Sequence, residues 1–315
     1  MTTHTLTQTA NRLQVLPLQA NSRAKRDVWA TLNYYEDPGD GSSPMPVYIG
    51  GDAAVNEWPT APAKVLVHDI TSEEDKYALD TYGFQLVQDE TMFDEFGDDD
   101  KIKTTYYPEC EKLYQTITQC SQVHIFGHVV RRGPSQWHAP SAGNALKKGP
   151  LHRVHVDQSD TGAEIVLRKN FPDLAASLLS STSPDAGVTG VESKKRWAIV
   201  NLWRPLNTIY KDPLAVASAC SIRDADLVEA QVVFTKQPPP LNVNKTWTVL
   251  PNGEHQWFYK NEMTKREVLM MKCFDTKTED GWARRAPHCA FVDEERNGED
   301  WADRESVEVR ALIVW

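Results

Sequence analysis

The chain has 315 residues but only five cysteines, Cys110, Cys120, Cys220, Cys273 and Cys289, and no Cys-x-x-Cys pair. An odd number at irregular spacing argues against a disulfide framework and fits reduced thiols in a cytosolic protein. Also missing is any run near the ~18 apolar residues that a membrane span requires. The opening stretch, Met1 to Gln19, is rich in Thr and Gln and lacks a continuous apolar segment. No secretory leader is expected, and the expected compartment is cytoplasmic. There is no basic excess either, since 34 Lys and Arg face 44 Asp and Glu, for a net charge of −10. Such a surface repels nucleic acid and anionic lipid at long range, so neither is expected as a partner. Internal repeats are absent. What remains is an ordinary globular composition, 40% hydrophobic and 25% charged.

Residues 1–65 are punctuated by Thr, Asn, Pro and Gly, with a loop-like run over Asp37–Pro46. They are expected to form an irregular N-terminal arm with a few short strands, wrapped over a main domain spanning 66–315. A helix is expected over 72–82, with Ser72 as cap and Glu73, Glu74 and Asp75 at the positive end of its dipole. A second is expected over 108–121, where Pro108 suits the first turn and Leu113, Ile117 and Cys120 recur at helical spacing. A third spans about 171–181. Extended segments are expected at 123–130, 196–203, 227–234, 245–250, 256–259, 267–274 and 306–315. Many short strands with turn residues between them point to a mainly β fold with flanking helices, a sandwich or jelly roll.

The chemistry concentrates in three places. In Leu151-His-Arg-Val-His-Val-Asp-Gln158, alternation along a strand puts His155 and Asp157 on one face, where an imidazole and a carboxylate can chelate a divalent ion. Alone, such a pair is as consistent with a surface hydrogen bond. Arg285-Ala-Pro-His288 adds a second histidine far along the chain. Two histidines and one carboxylate make the facial triad of non-haem iron(II) enzymes, and this mixed nitrogen and oxygen set suits iron(II) better than calcium. Third, Arg304 and Ser306 share a face at the start of the last strand. A guanidinium fork and a hydroxyl can grip the distal carboxylate of 2-oxoglutarate. Arg310, of the same parity, competes for that role.

Other residues are candidates for lining the site. On strand 196–203, Trp197, Asn201 and Trp203 share one parity, and Arg196 and Arg204 the other. Asn201 is a candidate contact to the cosubstrate and Trp203 a candidate pocket wall. Arg204 is a candidate partner for an acidic substrate or for a buried carboxylate, Lys211 a candidate pocket residue, and Trp137, in the Gly- and Pro-rich loop 133–150, a candidate lid residue. His124 and His128 fall on one face of strand 123–130, which leaves a second metal site as the alternative to a structural role.

The ordered set resembles the iron(II)/2-oxoglutarate-dependent dioxygenases. More narrowly, it is similar to the fungal gibberellin desaturase and cephamycin 7α-methoxylase group. The segments that carry this are Val67–Ile70, Val154–Asp157, Asn201–Leu206, Lys211–Ala215, Ala286–His288 and Arg304–Ala311. The resemblance implies a double-stranded β-helix, a distorted jelly roll. It implies iron(II) on His155, Asp157 and His288, 2-oxoglutarate on Arg304 and Ser306, and dioxygen as oxidant. The implied reaction is hydroxylation or desaturation of a small secondary metabolite, with release of succinate and CO2. Two other readings use the same residues differently: a cupin-like metal hydrolase, isomerase or dehydratase without 2-oxoglutarate, and a non-catalytic β-sandwich binding module. Oligomeric state is not legible.

Overall fold

The computed structural model describes residues 24–49, 59–133, 149–179, 195–240, 242–296, 298 and 300–315. Five antiparallel strands form the smaller sheet, in the order β4 (Phe84–Gln88), β12 (Glu267–Asp275), β7 (Trp197–Pro205), β14 (Ser306–Val314) and β5 (Gln122–Arg131). The larger sheet runs β1 (Val28–Tyr35), β3 (Thr60–Asp69), β11 (Trp257–Tyr259), β8 (Leu214–Ala217), β13 (His288–Ala290), β6 (His155–Val156), β10 (Val243–Val249), β9 (Leu227–Phe234) and β2 (Val47–Ile49).

Alternation decides which face each strand buries. On the smaller sheet, Val200, Leu202, Met270, Val309 and Ala311 point outward and pack under the helix Tyr107–Thr118, against Tyr106, Cys110 and Tyr114. Their neighbours Asn201, Trp203, Leu269 and Met271 point the other way, toward the larger sheet. Along β7 the inward series reads Trp197, Ile199, Asn201, Trp203. Its apolar ends join two separate clusters. One contains Val156, Ile199, Leu312 and the helices Asp160–Asn170 and Pro172–Leu179; the other contains Trp203, Phe84, Met271, Val216 and Phe258. A polar belt lies between these plugs, and it holds the candidate site.

The helix expected at 108–121 is present as Tyr107–Thr118, with proline in its first turn, and a left-handed Gln119 (φ 55°) stops it. The helix expected at 72–82 is not continuous. A 3-10 turn at Glu74–Lys76 and one helical turn at Leu79–Tyr82 flank extended Tyr77 and Ala78. Ser72 does not cap; it sits at φ 66°. Tertiary packing overrides the local charge pattern, because Tyr77 is buried and stacks on Phe84 at 5.4 Å.

The N-terminal region departs further from expectation. Where a few short strands were expected, the described residues hold longer ones, and β1 and β3 make a regular eight-pair antiparallel ladder. Val28, Ala30, Leu32 and Tyr34 alternate inward against Val67, Trp257 and Phe291, on the face of the larger sheet away from the polar belt. A bridge from Asn33 to Arg153 ties β1 to the segment entering β6. The flanking turn residues conceal this alternation in the sequence.

Candidate metal and cosubstrate site

β6 is only two residues long, yet its pairing fixes the site. His155 lies directly opposite His288 of β13, with ring centroids 4.6 Å apart. Asp157 follows two residues after His155 and faces the same way. One ligand atom from each of His155, Asp157 and His288 lies within 4.8 Å of the others. The two imidazoles are oriented from behind: His155 Nδ1 is 2.8 Å from the Arg153 carbonyl and His288 Nδ1 is 3.1 Å from the Ala286 carbonyl. A carbonyl oxygen only accepts, so each Nδ1 carries a proton and Nε2 is the ring atom left to ligate a metal. His288 Nε2 is buried with no hydrogen-bond partner among the described residues. Burial, and then His155, lower the His288 pKa and keep the ring neutral. Burial alone would raise the pKa of Asp157, but Arg310 and then His155 hold it well below the usual carboxylate range. The donor set is therefore two imidazole nitrogens and one carboxylate oxygen, an arrangement suited to a ferrous ion.

Arg304 precedes β14 and is buried. Its Nη1 donates to the Asp212 carbonyl at 2.7 Å, its Nε has no partner, and its guanidinium lies 5.5 Å from the Trp203 ring. Arg304 makes no ion pair among the described residues. Burial, and then the neighbouring Arg131, disfavour its charge. A desolvated guanidinium beside a second one is costly unless an anion joins them. Ser306, two residues on, is buried and pairs across the sheet with Arg131 and Pro205.

Arg310 differs from Arg304 because it already has acidic partners. Its Nη2 is 2.9 Å from Asp157 Oδ2 and 2.7 Å from Glu308 Oε1. Asn201 faces Asp157, donating from Nδ2 to Oδ2 at 2.8 Å. Trp203 is buried on the inner face, among Phe84, Leu269 and Met271.

Two pocket expectations are corrected. Arg204 lies on the outer face, opposite Val307, and is fully buried there. It binds Tyr106 Oη at 2.8 Å, the carbonyls of Asp89 and Lys265, and the Asp89 carboxylate, so it holds the outer layer together and does not line the interior. Lys211 is at the surface, paired with Asp303 at 2.7 Å. Trp137 lies outside the described residues. The shared face expected for His124 and His128 is also overturned. Between Gly127 and Ile125, β5 skips a partner on β14, leaving Phe126 extra. That bulge reverses the alternation. His128 turns outward to Tyr107 Oη at 2.8 Å, while His124 packs against Phe171. The same bulge aims Arg131 inward, a residue that sequence alternation did not single out. An open cleft of about 550 Å³, lined by Glu164, Arg168, Trp197 and Lys277, contains none of the candidate ligands.

With this geometry in view, similarity to known proteins decides the family. A family model described as an oxidoreductase/YMDC permease-like domain matches residues 32–314. A hydroxylase/desaturase, efuI of Hormonema carpetanum, is 35% identical over 90% of this chain and 94% of its own length. An alpha-ketoglutarate-dependent dioxygenase, tstK of Talaromyces stipitatus, is 31% identical over 80% and 85%. The chain belongs to the iron(II)/2-oxoglutarate-dependent hydroxylase and desaturase family. It is an oxidoreductase, as the resemblance implies, and the cupin-like and binding-module readings give way. The gibberellin cluster GA4 desaturase of Gibberella fujikuroi is a further relative, 26% identical over 92% of this chain and 96% of its own. The fold agrees with that of an iron and alpha-ketoglutarate-dependent endoperoxidase, NvfI, at TM-score 0.74, 21% identity and 93% and 99% coverage. Despite the permease-like label, no helix among the described residues is long and apolar enough to cross a membrane.

Proposed function

We propose that His155, Asp157 and His288 hold the ferrous ion of this dioxygenase and that Arg304, with Ser306, anchors the distal carboxylate of 2-oxoglutarate. The observation that carries the metal assignment is the buried Nε2 of His288, which lacks a hydrogen-bond partner among the described residues while its Nδ1 is tied back to a carbonyl. The choice of Arg304 over Arg310 rests on pairing. Arg310 is committed to Asp157 and Glu308, whereas among the described residues Arg304 has an unpartnered Nε and no carboxylate. Bound there, the ferrous ion would supply the coupling of dioxygen reduction to oxidative decarboxylation of 2-oxoglutarate and to oxidation of a substrate C–H bond.

The chain's own residues then have distinct tasks. The two carbonyls fix the imidazole tautomers, Arg304 orients the cosubstrate, and Trp203 with Met271 and Leu269 makes that side of the belt apolar and excludes water. Trp203 also lies beside Arg304, which shields the guanidinium from solvent. Asn201 touches Asp157 and leaves its own Oδ1 unpartnered toward the interior. The substrate is a small secondary metabolite, hydroxylated or desaturated with release of succinate and CO2. His288→Ala is expected to abolish stoichiometric ferrous binding, measured by anaerobic titration. Arg304→Ala is expected to retain the metal but weaken 2-oxoglutarate binding by about a hundredfold, the scale of a lost charge-assisted pair. Retained metal in the first variant would falsify the triad. Unchanged 2-oxoglutarate affinity in the second would return the anchor role to another arginine.

A further inference from the structure

We propose that Arg310 and Asn201 are positioning residues that confine Asp157 to one metal-facing oxygen, so that positions on the ion stay free for the chelating cosubstrate. The inference rests on the metal-site reading above.

Arg310 and Asn201 sit directly opposite each other on β14 and β7. Both reach the same atom: Asn201 Nδ2 is 2.8 Å and Arg310 Nη2 is 2.9 Å from Asp157 Oδ2. A carboxylate oxygen offers two lone pairs, so two donors occupy Oδ2. Oδ1 is left on the side of the imidazoles, 3.2 Å from His155 Nε2. Arg310 is not free to swing away. Its Nε and Nη2 lie 2.8 and 2.7 Å from Glu308 Oε1, on a side chain two residues earlier on the same inward face. Glu308 is itself buried, so releasing Arg310 would strand a buried anion.

The consequence follows from counting positions. Two imidazoles and one carboxylate oxygen leave about three of six places on a facial-triad ion. A carboxylate binding through both oxygens, which is common when both are free, would leave about two. A cosubstrate that chelates through two atoms, with dioxygen still to bind, needs the larger number. Charge acts in the same direction. The guanidinium balances Asp157, so a divalent ion keeps more of its attraction for an anionic cosubstrate.

The test uses the protein loaded with Mn(II), a probe ion that reports its bound waters through water-proton relaxation. Wild type is expected to hold about three exchangeable waters and Arg310→Met about two. 2-Oxoglutarate is expected to bind the Mn(II) form of Arg310→Met about tenfold more weakly, a typical effect for residues that orient a metal ligand. Asn201→Ala removes one donor and leaves Arg310 in place, so both readouts move the same way by less; it carries the test alone if Arg310→Met does not fold. An unchanged water count and unchanged 2-oxoglutarate affinity in a folded variant overturn the proposal. If wild type takes up no equivalent of Mn(II), the metal-site reading fails and takes this proposal with it, a result distinct from a silent variant.

Discussion

Four arginines of this protein are chemically identical yet serve different ends, and the difference lies in what surrounds each fork. Arg204 has its donors satisfied by Tyr106 Oη, two carbonyls and the Asp89 carboxylate. Arg310 is shared between two acids, Arg131 donates to the Gly149 carbonyl, and Arg304 keeps an idle donor. Removing a residue from a satisfied buried network strands its partners, whereas removing an under-satisfied charge relieves a cost. Arg204→Met is therefore expected to lower unfolding stability by about 3 kcal/mol with 2-oxoglutarate affinity unchanged. Arg304→Met is expected to do the reverse: the ligand-free protein becomes no less stable, and cosubstrate binding is lost. Paired urea denaturation and 2-oxoglutarate titration of the two variants check this contrast. A loss of cosubstrate affinity in Arg204→Met, with the fold intact, would put that side chain back in the pocket. Sequence parity separated Arg204 from Trp203 correctly, but parity alone does not say which face is interior.

At the level of elements, most strands after residue 120 were legible, including short β11, whereas β1 and β3 were not despite their length. The strands β7, β9, β12 and β14 carry enough alternation or apolar density to be read within two residues of their observed ends. β6 and β13, with two and three residues, carry no period at all, although they hold both histidines. The metal motif was legible because His-x-Asp is a local chelate; its pairing with His288 depends on register, which needs the whole sheet. The bulge in β5 defeated parity outright. The helix Asp160–Asn170 was missed because it starts only three residues after Asp157, leaving no separating loop. Its start is set by Ser159, whose Oγ accepts from the Gly162 amide at 2.9 Å. Gly162 itself is dictated by packing: a Cβ there would lie 2.0 Å from the Lys245 carbonyl oxygen on β10. Helix propensity favours alanine over glycine by about 1 kcal/mol, but overpacking against a fixed backbone atom costs about 1–3 kcal/mol. The clash is severe, so Gly162→Ala is expected to be destabilising by about 2 kcal/mol net in urea unfolding. A stabilised variant would mean that the helix is free to lift off the strand.

For the molecule as a whole, the two sheets bury apolar plugs at either end of a polar belt and a further core under β1, and buried titratable pairs tie these layers together. His255 is buried between Asp226, 3.2 Å from its Nε2, and Tyr34 Oη, 3.1 Å from its Nδ1, which in turn accepts from Trp257. Burial lowers the His255 pKa below its ordinary 6.5, although Asp226 opposes the shift. The unfolded chain therefore takes up this proton first, and the stability it represents is present above pH 6.5 and lost as pH falls toward the folded value. Asp226 acts in a lower window. Burial would raise its pKa, but the Arg223 amide, Asn252 and His255 hold it at about 2, against 3.8 unfolded. Its contribution is complete above 3.8 and disappears as pH falls toward about 2. Asp275, held low by Arg196 and Lys272 against its own burial, loses its contribution in the same acid direction. The denaturation midpoint of metal-free protein is thus expected to decline in two stages on acidification, one beginning near pH 6.5 and one below pH 3.8. His255→Gln keeps a neutral hydrogen-bonding side chain between Asp226 and Tyr34 but cannot take up the proton. It should make the first stage shallower, the remainder coming from His288 and His124, whose pKa values burial also lowers, and leave the second in place. If its curve instead falls as steeply as that of wild type through the first stage, the coupling of the β1 layer to pH lies elsewhere than in this buried imidazole.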